Sequence, residues 1–109
     1  MNHLADAMKH APGVQVSQLP PLTTLLVWTR NSVYRIVVGG KSSVYVQGGE
    51  FFPDPTPARL DGASFGGAVL KAGWIVVGLL MEIQDGNTRI VTSPVRAIAE
   101  EAPRTSVVH

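Results

Sequence analysis

The run Thr24-Leu25-Leu26-Val27-Trp28-Thr29-Arg30, the dipeptide Asn31-Ser32 and the run Val33-Tyr34-Arg35-Ile36-Val37-Val38 decide the fold class. Both runs are rich in β-branched and aromatic residues and alternate in character with a period of two, which predicts two strands joined by a tight hairpin. With Asn31 and Ser32 as the turn, Arg30 faces Val33, Trp28 faces Arg35 and Leu26 faces Val37. Leu25, Val27, Ile36 and Val38 then share the opposite face. Trp28 and Arg35 are expected to form a surface cation–π pair.

Downstream, Gly39-Gly40-Lys41 supplies turn chemistry before the alternating run Ser43-Val44-Tyr45-Val46-Gln47, which ends at Gly48-Gly49. Glu50 to Pro57 follows. Pro53, Pro55 and Pro57 each remove a backbone donor and fix φ, so this segment reads as a stiff extended loop. Ala58-Arg59-Leu60 resumes pairing briefly before the glycine-rich bend Asp61 to Gly67. The longest alternation is Trp74 to Gln84, read as one strand with Ile75, Val77, Leu79, Met81 and Ile83 facing a core, covered on both sides or bent at Gly78. Asp85-Gly86-Asn87 then reverses the chain into Thr88 to Thr92, which places Ile90 with Met81 and Ile83 and sets Arg89 beside Glu82 and Gln84. Ser93-Pro94 is expected to break the pattern before a short last strand at Val95 to Ile98.

About six short strands predict an all-β fold, a small antiparallel β-barrel or roll of SH3-like or related type, because rolling up the sheet hides both its edges and its apolar face. The domain is expected at 22–99, with flexible arms at 1–21 and 100–109. Within the N-terminal arm, His3 to His10 has the spacing for about two helical turns, too short to hold in water without a docking surface. The 109 residues, with 11 glycines, 8 prolines and 45% apolar content, fit one compact domain. Ten of the glycines fall between Gly39 and Gly86, where they punctuate strands.

The same composition excludes several functions. With no cysteine there is no disulfide framework, thiolate zinc site or cysteine nucleophile. The three histidines lie at positions 3, 10 and 109, and no ligand spacing is present, so neither a metal nor a cofactor is expected. A net charge of +1 supplies no strong field for nucleic acid or anionic membrane. The apolar run from Ala72 to Met81 is ten residues, against the roughly 20 that span a bilayer. The first residues lack a basic leader and apolar stretch, and cytoplasmic residence is expected.

Three motif matches bear on chemistry. Gly62-Ala63-Ser64-Phe65-Gly66 fits G-x-S-x-G, but no helix pattern follows it and every histidine lies in an arm, so it reads as a bend and the chain as a non-enzyme. Gly40-Lys41-Ser42 resembles the end of a phosphate-binding loop, yet the first required glycine is replaced by Arg35 and a strand follows. The stretch Asp61 to Gly67, ahead of the long alternating run, resembles the D/N-x-S-x-x-G segment of PilZ domains, small bacterial barrels that bind cyclic di-GMP. With Ser64 and Gly67 in register, Gly62 stands at the acidic or amide position, and Arg30 and Arg35 are one residue too far apart for the family's R-x-x-x-R pair. That resemblance implies a nucleotide site built on Arg59, Ser64 and Gly67.

The preferred expectation is a non-enzymatic interaction or assembly module that associates with itself or with another protein. Phe51, Phe52, Trp74, Val76 and Leu80 are its candidate contact residues, because both faces of 74–81 are apolar and the Phe51-Phe52 pair sits on the proline-stiffened segment. The alternatives are the PilZ-like nucleotide site and single-stranded nucleic acid, which Trp28, Tyr34 and Tyr45 could stack upon.

Overall fold

The computed structural model describes residues 12–102 apart from residue 68. Both the expected turn of helix at His3 to His10 and the C-terminal tail beyond Ala102 lie outside the described residues. The protein is all-β. Among the described residues its strands are β1 (Gly13–Gln15), β2 (Thr24–Thr29), β3 (Val33–Gly40), β4 (Ser43–Gly48), β5 (Phe52–Ser64), β6 (Val69–Ala72), β7 (Trp74–Val76), β8 (Leu80–Asp85) and β9 (Thr88–Glu100), with a 3₁₀ turn at Val16–Gln18. Seven strands form one antiparallel sheet in the order β4-β3-β2-β9-β8-β5-β6, and a further β4–β5 pairing partly closes it into a ring.

Two long strands make the closure possible. Each has 13 residues and changes partner at its middle: β5 pairs with β4 through Phe52 to Arg59 and with β8 through Arg59 to Ser64. Strand β9 pairs with β8 through Thr88 to Pro94 and with β2 through Val95 to Glu100. Register shifts at Leu60/Gly62 and at Trp28/Thr29 mark the two corners where the sheet turns over its core. The core between the layers holds Val27, Ile36, Val46, Phe52, Leu60 and Met81, all fully buried.

The first hairpin keeps the expected faces but slips by two residues. Leu26 lies opposite Arg35 and Trp28 opposite Val33, so Trp28 and Arg35 do not form the expected pair. The cause is local: Thr29 accepts the Ser32 N–H on its hydroxyl at 3.1 Å and donates its own N–H to the Ser32 carbonyl at 2.8 Å, which lengthens the loop. A two-residue slip preserves parity, and Leu25, Val27, Ile36 and Val38 are buried as expected.

The proline segment is a strand rather than a loop. Pro53, Pro55 and Pro57 share one parity, whereas Leu60, of the other parity, sends its N–H to the Ser42 carbonyl beside β4 at 2.9 Å. The missing donors therefore point to the edge away from β4, where β5 has no partner among the described residues before Arg59. Ser93-Pro94 likewise bends β9 without ending it.

The alternation from 74 to 84 is in turn two strands rather than one. Gly78, at φ +96°, gives its N–H to the Val95 carbonyl and reverses the chain between β7 and β8. Strand β7 pairs with β1, so the stretch assigned to the N-terminal arm enters the fold from Gly13, and Val16 is fully buried in the main core. The hairpin of β8 and β9 has the expected register, with Ile83 opposite Ile90 and Gln84 opposite Arg89.

Candidate functional site

The expected contact residues scatter. Phe52 and Val76 are buried within the protomer, and neither is available to a partner. Val76 joins Ala63 and Leu79 in a second apolar cluster, with Trp74 packed against it. The surplus apolar character of 74–81 is thus absorbed inside the chain. Trp74 carries the Lys71 ammonium 3.6 Å from its ring centroid, a cation–π contact. Phe51 is 60% exposed, on the loop between β4 and β5.

That loop crosses the end of β3 closely. A Cβ on Gly48 would sit 2.1 Å from the Val33 carbonyl oxygen, and one on Gly49 would meet the Tyr34 hydroxyl at 2.6 Å. Only glycine fits at both. The packing holds the Tyr34 ring in the core, and burial pushes its phenol above the usual value, partly offset by a hydrogen bond with Ser32.

The nucleotide-site residues do not converge. Ser64, the serine of the G-x-S-x-G match, is fully buried, its Oγ accepting the Gly66 N–H at 3.0 Å in a local turn. Arg59 is exposed, and its Nε donates to Asp61 at 2.7 Å. The Gly67 carbonyl accepts from Arg89 at 3.1 Å. Five positions along one strand separate Arg59 from Ser64, about 16 Å at ~3.3 Å per residue. Among the described residues there is no group of three or more His, Asp or Glu able to hold a metal, and no helix long and apolar enough to cross a membrane.

What the fold does assemble is an apolar outer face on the sheet of β9, β2, β3, β4 and β5. The register aligns its outward side chains in rows across the strands: Ala97, Trp28 and Val33 in one, Ala99, Leu26, Arg35 and Gln47 in the next, and Thr24, Val37, Tyr45 and Pro57 in the third. Tyr45 is 50% exposed, Val33, Ala97, Ala99 and Pro57 are exposed, and Leu26, Trp28 and Val37 are half-buried. Arg35 alone is charged in these rows, and Glu101 neutralises it across 3.0 Å.

At the spacings of a pleated sheet, ~4.8 Å between strands and ~6.6 Å between successive outward residues, the eleven positions of these rows cover roughly 350 Å². That is within the range of the largest apolar patch on a monomeric protein, a patch that is often functional. Phe51 lies at the Val33 end of this face. At the Thr24 end a groove of about 840 Å³ opens, lined by residues 20–24, Arg35 and residues 100–102.

Sequence reading missed this face because its rows join strands distant in the chain. Its residues were nonetheless separable from the core by parity alone. Among known protein families, curated proteins and solved structures, none matches this chain.

Proposed function

We propose that the chain is a non-enzymatic assembly module that associates with a second copy of itself through the outer face of β9, β2, β3, β4 and β5. The contiguous, nearly uncharged rows around Val37 and Tyr45 carry the reading, since singly scattered exposed apolar residues would need no explanation. A stable pair commonly buries about 800 Å² per partner, so the face would supply a little under half and its rim the rest. Packing face to face by a twofold axis is the economical geometry, with two sheets stacked about 10 Å apart.

The free edge of β5 supports a face-mediated rather than an edge-mediated contact, because three prolines leave it without donors for strand addition. A fold of SH3-like or related type, and cytoplasmic residence, belong to the same reading; the lack of cysteine is compatible with the latter. Light scattering over a micromolar concentration series tests it: a mass above 11.6 kDa that rises with concentration is expected, and a strict monomer throughout defeats it.

A second reading draws on one observation. Trp28, Arg35 and Tyr45 share this face, an arrangement on which single-stranded nucleic acid could stack. Arg35 is occupied by Glu101, however, and the rows hold no other cation. A tryptophan fluorescence titration with an oligonucleotide at low salt separates the readings: a salt-sensitive change favours nucleic acid, and a flat response leaves self-association.

A further inference from the structure

Leu22 is the most exposed large apolar side chain among the described residues, at 79%, and it holds a backbone conformation that leucine disfavours, with φ +73°. The turn around it is tightly specified. Thr23 donates its N–H to the Pro20 carbonyl at 3.1 Å, closing a four-residue turn with Pro21 second and Leu22 third. A proline second and a positive φ third define a type II turn, whose third position is ordinarily glycine or asparagine. The Leu22 N–H continues the sheet ladder to the Val38 carbonyl at 2.8 Å, which fixes the turn against β3.

Leucine here gains nothing from the other described residues. Its side chain is in water, its backbone is strained, and glycine would hold the same turn more easily. Strain at a displayed apolar residue points outward to a contact that the described residues do not make.

We infer that Leu22 is the anchor by which one copy engages the other, inserting beside the groove of residues 20–24 and 100–102 while its twofold mate does the same. This rests on the proposed self-association. A second copy is the occupant argued for, because Thr24, Arg35 and Glu101 belong both to the groove and to the outer face or its ion pair, so that Leu22 continues the same surface. A buried leucine at the rim also supplies contact area that the face alone lacks. In an isologous contact, a projection and the groove beside it meet their own copies across one axis.

Sedimentation equilibrium of the full chain, with Leu22→Gly and Leu22→Met, tests the inference. Leu22→Gly is expected to weaken association about tenfold or more, while the thermal midpoint of the dissociated protomer rises by a few degrees. Leu22→Met keeps an apolar anchor and is expected to associate within about threefold of the parent. Unchanged association of Leu22→Gly, or a fall in its protomer midpoint, overturns the role of Leu22 and leaves the assembly reading standing. A parent chain that is monomeric throughout overturns both.

Discussion

Replacing Arg89 with alanine should destabilise the protein out of proportion to its surface position. Glu82 lies on the outward side of β8, between Gly62 and Val91, yet it is only 1% exposed. Arg89 covers it, donating Nε to Oε1 at 2.7 Å and Nη2 both to the same oxygen and to the Gly67 carbonyl. Among the described residues the other carboxylate oxygen has no partner, so the carboxylate depends on Arg89.

Breaking a fully buried pair costs about 3–5 kcal/mol. The Arg89 side chain is 48% exposed, so water can reach part of the vacated space and the estimate falls to about 2–3 kcal/mol. In a domain of this size that corresponds to a midpoint lower by roughly 10–20 °C. Urea unfolding of Arg89→Ala, Glu82→Leu and the double variant completes the cycle. Removing the carboxylate should recover at least about 1 kcal/mol of the loss in Arg89→Ala, because no orphaned charge remains. Additive single effects, or an Arg89→Ala variant as stable as the parent, would refute the reasoning.

Two further outcomes follow from the fold. Because burial raises the Tyr34 phenol above its unfolded value, stability should hold below about pH 10 and fall as pH climbs through the folded-state value; Tyr34→Phe should flatten that part of the profile, and an unchanged slope would count against a buried phenol. Replacing Pro53, Pro55 and Pro57 together by threonine should restore three donors to the free edge of β5 and promote aggregation without loss of the native fold, read as turbidity against time; a variant as well dispersed as the parent would contradict the proposed role of that edge.

Parity was the part of the fold most legible in the sequence. Side chains alternate by backbone geometry alone, so the buried sets of β2, β3 and β4 and the pairing of Arg89 beside Glu82 could be read without knowing the neighbours. Strand ends were less legible, because a proline breaks a sheet only where its donor is needed. At 53, 55 and 57 the missing donors share an unpaired edge, and β5 runs on. In the 74–84 alternation Gly78 marks a bend, and its positive φ is what divides the run in two.

The candidate face was the least legible feature. Tyr45 meets Pro57 through the β4–β5 pairing, and Trp28 meets Ala97 through β2–β9, contacts set by closure of the ring rather than by any local pattern. Phe52 and Val76, chosen for hydrophobicity, are consumed by the interior for the same reason. Leu22 had only the preceding prolines to mark a turn, and nothing in Leu19-Pro20-Pro21-Leu22 reveals that its last residue takes a positive φ.

The central claim is that the outer face joins two copies, and sedimentation equilibrium of the parent beside Tyr45→Lys tests it most directly. Tyr45 is already half exposed, so a lysine there should leave the protomer folded at a cost of about 1 kcal/mol or less, while placing an unpaired charge within the contact. The account predicts a concentration-dependent mass above 11.6 kDa for the parent and a return to the single-chain mass for the variant. A parent that stays at the single-chain mass, or a variant that associates as the parent does, would contradict it.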